Sequence, residues 1–148
     1  MFRGSSYHTI DAKGRIIIPA RFREPIKNGT SPGLMLTKLD GGLRAYPMPA
    51  WQSIEADVLS RATKSHTMRR FLRITIGGAF EVQCDRQDRI LVPPTMREYA
   101  GLEKDIVLVG MLDHFQIWSK QKWEEENDTL ERDLQQEEVR NEIAELGL

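Results

Sequence analysis

Aspartate stands four residues before arginine at two places, Asp11–Arg15 and Asp85–Arg89. Each arginine opens a short apolar run that ends in proline, Ile16-Ile17-Ile18-Pro19 in one case and Ile90-Leu91-Val92-Pro93 in the other. A carboxylate at the head of a tight turn can accept backbone N–H groups or pair with a guanidinium across it. A guanidinium is in turn a planar fork suited to phosphate oxygens or to guanine O6 and N7. One such spacing means nothing. Two at matching places are a fairly specific pattern.

The surrounding cations differ between the copies. Arg3, His8, Lys13, Arg21 and Arg23 flank the first motif, with Asp11 and Glu24 the nearby acids. At the positions of Arg3, Lys13 and Arg21 the second copy has Gly77, Gln87 and Thr95, which leaves Arg86 and Arg89 as its cationic candidates. Lys13 suits a phosphate contact that positions without reading sequence. If either copy meets a nucleic acid, the first is expected to dominate.

Catalytic patterns are hard to find. His8, His66 and His114 are isolated, and none belongs to a Cys/His pair with zinc-ligand spacing. The chain has no glycine-rich phosphate loop, nucleophile elbow or dinucleotide fingerprint. Asp85 and Asp88 are neighbouring carboxylates, but in a hairpin turn aspartate is ordinary. The expectation is no enzyme, no catalytic residue, no cofactor, no metal and no small-molecule substrate.

The elements that carry these motifs come from a duplication. Residues 2–24 realign on 76–98 at an offset of 74, and Leu34-Met35-Leu36, Tyr46 and Trp51 meet Ile106-Val107-Leu108, Trp118 and Trp123 after a two-residue deletion. A module this short encloses little core alone, so the copies must pack together. In the first, strands are expected at Tyr7–Ile10 and Arg15–Ile18 around a three-residue loop closed by Gly14, which suits a left-handed position. Asp88 stands in the equivalent place and tolerates that conformation.

Pro19 and Pro93-Pro94 pre-set short helices over Ala20–Pro25 and Thr95–Ala100, with Gly101 a natural stop. Asn28 to Gly33 reads as a loop, and Leu34–Leu39 and Ile106–Leu112 read as strands. Gly41-Gly42 and Asp113-His114 are expected turns, returning through Leu43–Tyr46 and Phe115–Trp118. Between the modules, Trp51–Ala62 and a patch around Met68, Phe71 and Leu72 have helical spacing. A last helix is expected from Glu124 to about Leu146, with a loose apolar stripe of Leu130, Leu134, Val139, Ile143 and Leu146. This organises the chain as module 5–51, helical connector 52–76, module 77–123 and acidic tail 124–148.

Composition fits a soluble globular chain, with 40% hydrophobic and 29% charged residues. No apolar run approaches the roughly 20 residues of a membrane helix, and the beginning, MFRGSSYH, lacks a signal-peptide core. The single Cys84 is compatible with a reducing cytoplasm and is expected to be a small buried apolar residue. The net charge of -1 hides a division: residues 1–73 hold 13 Lys+Arg against 5 Asp+Glu, and residues 74–148 hold 8 against 17. The basic half can attract phosphate, or the acidic half of the same chain or of a neighbour. Segment 61–73, with Arg61, Lys64, Arg69, Arg70 and Arg73 and no acid, serves either a duplex or a subunit contact against the acidic tail.

The doubled unit, with DAKGRIIIP at one end and DRQDRILVPP at the other, closely resembles the MraZ family over residues 2 to about 124. Each unit looks like the swapped-hairpin module of AbrB-like transition-state regulators. The resemblance implies an α+β, mainly β fold in which the tandem modules interleave as an intrachain pseudo-dimer, with flanking helices and an acidic C-terminal helix. It also implies a ring-shaped homo-oligomer that binds double-stranded DNA at direct repeats upstream of the division and cell wall gene cluster. The protein would then be a cytoplasmic, nucleoid-associated transcriptional regulator without a membrane partner. Asp11, Arg15, Asp85 and Arg89 match the family motif, and Asp88 departs from the first copy's glycine. A protein-interaction or antitoxin-like module with no direct DNA role is the alternative.

Overall fold

The computed structural model describes residues 1–27, 33–61 and 65–148. The first half runs β1 (Ser5–Thr9), β2 (Arg15–Ile17), α1 (Ala20–Lys27), β3 (Gly33–Leu39), β4 (Gly42–Pro47) and α2 (Met48–Ser60). The chain continues through α3 (His66–Thr75), β5 (Phe80–Gln83), β6 (Arg89–Leu91), α4 (Pro94–Ala100), β7 (Asp105–Gly110), β8 (Phe115–Ser119), α5 (Lys120–Asp133) and α6 (Glu137–Glu145). Most of the expected loop from Asn28, together with Ala62 and Lys64, lies outside the described residues.

The two halves exchange strands. One six-stranded antiparallel sheet has the order β1-β7-β8-β4-β3-β5, and β2 pairs with β6 in a separate two-stranded ribbon. β1 of the first half thus lies on β7 of the second, β5 of the second lies on β3 of the first, and β4 meets β8 between them. The hairpin strands of each motif touch one another only near the turn, as in the bridge between Ile10 and Ile16. Past the turn each strand finds its partner in the other half. This is the tandem swapped-hairpin, α+β architecture that the repeat implies.

One core serves both copies. Ile16, Ile18, Phe22 and Leu36 are buried with Ile90, Val92, Met96 and Leu108. Phe2, Phe22 and Phe115 form an aromatic cluster, with ring centroids 5.0–5.5 Å apart. Removing either half would expose the other's apolar face, so burial drives the interleaving.

Several boundaries differ from the sequence expectation for local reasons. β1 spans Ser5–Thr9 rather than Tyr7–Ile10, and β2 stops at Ile17. α1 continues past Pro25 to Lys27 because Ile26 is buried in the core, a packing gain that outweighs the proline's missing donor. α2 begins three residues before Trp51, at Met48. The tight turn after β3 is Asp40-Gly41, with φ of 58° and 87°, one residue earlier than Gly41-Gly42. Two left-handed residues match the twist of a hairpin. Gly42 is instead a strand residue packed so closely on Trp118 that a Cβ there would lie 2.9 Å from the indole. β7 ends at Gly110, and Leu112 bridges back to Phe2.

The acidic helix is two helices rather than one. It starts at Lys120, where Ser119 Oγ accepts from the backbone N–H of Lys122 at 3.1 Å, and it breaks after Asp133. Arg140 Nε donates to the Leu134 carbonyl across the break at 2.9 Å. Neither α5 nor α6 buries a residue. Cys84 is half-buried against the core, and that burial pushes its thiol pKa up, away from reactivity.

Candidate nucleic-acid interface

The two Asp-x-x-x-Arg turns are built from the same hydrogen bonds. In the first, Asp11 Oδ1 accepts from the backbone N–H of Lys13 at 3.0 Å and of Arg15 at 2.8 Å, while Oδ2 accepts from Arg15 Nε at 2.6 Å. In the second, Asp85 Oδ1 accepts from Gln87 at 2.8 Å and Arg89 at 2.9 Å, and Oδ2 accepts from Arg89 Nε at 2.8 Å. The backbone N–H donated to each carboxylate by the arginine is the main cause holding both aspartates below the usual carboxylate range. Each guanidinium spends its Nε on this brace. Among the described residues, neither Arg15 nor Arg89 has a partner for its terminal amino groups. The carboxylate therefore fixes the stem and leaves the fork free.

The ribbon decides where those forks face. Its register sets Arg15 opposite Leu91, Ile16 opposite Ile90 and Ile17 opposite Arg89. Side chains alternate across a strand, so Ile16 and Ile90 enter the core while Arg15, Ile17, Arg89 and Leu91 share the outer face. Ile17 is 56% exposed and Leu91 55%. Arg15 and Arg89, from turns 74 residues apart, thus stand diagonally on one small surface with two apolar side chains between them. A two-stranded ribbon of this kind has the width to enter a duplex major groove.

Each turn is also clamped by the other half. Ile18 donates its N–H to the Asp88 carbonyl and Val92 donates to the Gly14 carbonyl, both at 2.8 Å. Arg97 Nε donates to the Val92 carbonyl at 3.1 Å and passes directly over Gly14, where a Cβ would lie 2.6 Å from that nitrogen. Gly14 has a φ of 90°. The left-handed backbone favours glycine there, and any Cβ would push the Arg97 guanidinium aside.

The departure at Asp88 changes the electrostatics. Arg23 Nε donates to the Ile18 carbonyl at 2.8 Å, as Arg97 does to Val92. Asp88 keeps the left-handed backbone, with a φ of 58°, and its carboxylate pairs with Arg23 at 3.5 Å and with Lys27 at 3.1 Å. Beside Gly14, Arg97 has no acidic partner among the described residues. The first turn consequently has no counterpart to the Asp88 carboxylate, whereas the second carries an anion that holds two of its neighbours.

The remaining candidates separate. Lys13 and Arg86 are exposed on the two turns. Arg21 lies back along its own chain, donating to the Arg3 carbonyl at 3.0 Å and to Ser6 Oγ at 2.7 Å, with its guanidinium 4.4 Å from the Phe22 ring centroid. Arg3 is exposed beside it. His8 is half-buried with Nε2 2.5 Å from Ser6 Oγ, and it borders a shallow groove with Tyr7 and Ile17. Burial, and then the charge of Arg21, push its pKa down, so it is neutral at pH 7.

The outward residues Ile17 and Leu91 and the clamp from Arg97 were not singled out from the sequence. Their signal was available in the period-2 alternation after each arginine and in the match of Arg23-Glu24 with Arg97-Glu98. Among the described residues no cluster of three or more His, Cys, Asp or Glu is placed to hold a metal ion. His114 is buried in a structural chain, stacked on Tyr46 and bonded to Asp113 and Gln116. No helix among the described residues is long and apolar enough to cross a membrane.

Comparison with known proteins agrees with the duplication. The model of one family, described as "MraZ protein, putative antitoxin-like", matches residues 1–74 and again 75–142. Among curated relatives, a protein of Desulforapulum autotrophicum is 57% identical over 148 residues, covering all of both chains. One from Desulfosudis oleivorans is 51% identical over the same span, and one from Acetivibrio thermocellus is 40% identical over 149 residues, again with full coverage of both. All three carry the name "Transcriptional regulator MraZ".

Proposed function

The chain belongs to the MraZ family, and on that premise we propose that it regulates transcription by binding double-stranded DNA through the outer face of the β2–β6 ribbon. The observation that carries this reading is the placement of Arg15 and Arg89 together on an exposed face, each braced by an aspartate. Bracing lowers the entropy lost when a guanidinium meets a base or phosphate. Ile17 and Leu91 between them offer apolar contact to thymine methyl groups. Lys13 and Arg86 flank the ribbon as phosphate contacts, and Arg3 extends the basic surface. His8 and Arg21 shape the adjoining edge.

In this reading residues 5–51 and 77–123 are the two modules, 52–76 the connector and 124–148 the acidic tail. One ribbon offers few contacts. A ring-shaped homo-oligomer carrying several ribbons, bound to direct repeats, gains affinity through effective concentration. In the same reading those repeats lie upstream of the division and cell wall gene cluster, and the protein works in the cytoplasm at the nucleoid. The chemistry involved is binding, with no reaction, cofactor or small-molecule substrate.

The antitoxin-like wording of the family description supports a competing reading, in which the same ribbon docks a protein. Titration of duplexes containing direct repeats, at several salt concentrations, separates the two. Repeat-specific binding with a slope near about -0.9 in log K against log salt per neutralised phosphate supports the DNA reading. Indifference to every duplex at low salt overturns it.

A further inference from the structure

We propose that the acidic helices α5 and α6 of one subunit dock on the basic, apolar face of α3 in a second copy of this chain. The inference rests on the homo-oligomeric part of the reading above and names the two surfaces that would make the contact.

α3 is an amphipathic helix that leaves much of its apolar side uncovered. Thr75 is buried, its carbonyl accepting from Thr37 Oγ1 at 2.5 Å, and this anchors the helix to the sheet. Met68, Phe71 and Ile74, three residues apart, remain 45%, 40% and 53% exposed. Phe71 and Ile74 line a groove with Leu39 and Tyr99, rimmed by Lys38 and Arg70. The helix also carries Arg69 and Arg73 and contains no acidic residue. An exposed apolar strip bordered by one sign of charge has the anatomy of an interface core with its rim.

The C-terminal helices have the complementary character. α5 rests on β7 and β8, yet neither α5 nor α6 buries a residue. Leu130 is 49% exposed and Leu146 77%. Along α6, Glu138 and Glu142 stand beside Val139 and Ile143, giving an apolar seam edged with carboxylates. A helix whose apolar residues are at most half-buried gains little from its own chain and is stabilised further by packing its stripe on a partner. Seam matches strip and acid matches base. The contact joins two different patches, so it is head-to-tail and generates a ring when the rotation closes.

Charge reversal with complementation tests the contact by analytical ultracentrifugation. The Arg70→Glu/Arg73→Glu chain and the Glu138→Lys/Glu142→Lys chain should each lose the wild-type assembly, and an equimolar mixture should regain it. Circular dichroism checks that each variant is folded. Should one misfold, the neutral Arg70→Gln/Arg73→Gln chain reads the same contact as a shift of assembly to higher concentration. Wild-type size in both reversed chains, or a mixture that stays dissociated, overturns the inference while leaving the oligomer itself standing. A reversed α3 that loses duplex binding at unchanged size also overturns it, by assigning that face to DNA. A wild-type chain that is monomeric at every concentration removes the oligomeric reading as well.

Discussion

Asp88 Oδ1 lies 3.1 Å from Nζ of Lys27, so the second turn of the repeat holds a cation that belongs to the first half. Arg23 approaches the same carboxylate at 3.5 Å. At the equivalent point the first half has Gly14, with Arg97 lying above it and no carboxylate to meet it. One substitution between copies thus makes two otherwise matching turns electrostatically unequal.

Replacing that carboxylate should make them more alike. Asp88→Gly releases Arg23 and Lys27, and glycine accepts the φ of 58° without strain. Tighter duplex binding is expected, with a salt slope steeper by up to about 0.9 for each phosphate newly neutralised. Fluorescence anisotropy over a salt series measures it. An unchanged slope would show that these cations do not reach the duplex. Stability should change by about 1 kcal/mol or less, because solvent still screens these half-exposed ion pairs.

Arg15→Ala should weaken duplex binding by about 1–3 kcal/mol if its fork reads a base, leaving assembly intact. Arg89→Ala should do less, because Asp88 reduces the positive potential around its turn. Gel-shift titration with sizing of both variants tests this. Equal affinity for Arg15→Ala and the wild type would refute the assignment.

Gly14→Ala attacks the clamp rather than the contact. A Cβ at a φ of 90° would sit 2.6 Å from Arg97 Nε. The left-handed backbone alone costs a non-glycine residue roughly 1–2 kcal/mol, and displacing Arg97 adds to this. Urea unfolding should show the loss, whereas Asp88→Gly should not. A wild-type midpoint for Gly14→Ala would mean that the turn relaxes freely.

Asp11 and Asp85 have folded-state pKa values below their unfolded ones, chiefly through the backbone N–H groups of Arg15 and Arg89. Their contribution is therefore fully present above the unfolded value of about 3.9 and disappears as pH falls through the lowered folded values. Both turns should stay braced from pH 8 to pH 5 and loosen only in stronger acid. Carboxyl NMR titration of the two residues would show it, and midpoints at or above the ordinary value would contradict the bracing.

His8 is also shifted down, but in its case the shift favours the uncharged form. Its pKa is lowered by burial and by Arg21, so the folded protein disfavours the proton. Stability should fall as pH drops below the unfolded value of about 6.5 toward the lowered folded one. Near neutral pH the imidazole contributes no positive charge, so His8→Gln should leave the salt slope of DNA binding unchanged at pH 7.5. A shallower slope in that variant would show a charged His8 on phosphate.

Much of this molecule was legible from local chemistry. Asp11 capping its own turn, Gly14 and Asp88 in left-handed conformations, and Gly101 ending α4 all follow from residues within a few positions of one another. The misses arose where distant packing competed with local preference. Ile26 drew α1 past a proline, and the ring of Trp118 explains a glycine that resembled part of a turn.

By itself the sequence determined that there are two copies of one unit, that each carries an Asp-braced arginine, and that the copies must bury each other, because short-range hydrogen bonding and apolar spacing need no partner to be recognised. Only the tertiary structure decided that β2 pairs with β6, which sets Arg15 and Arg89 on one face, and that Asp88 reaches across to Lys27. Strand exchange is chosen by which pairing buries the most apolar surface in a shared core, and that comparison exists only once both halves are folded together.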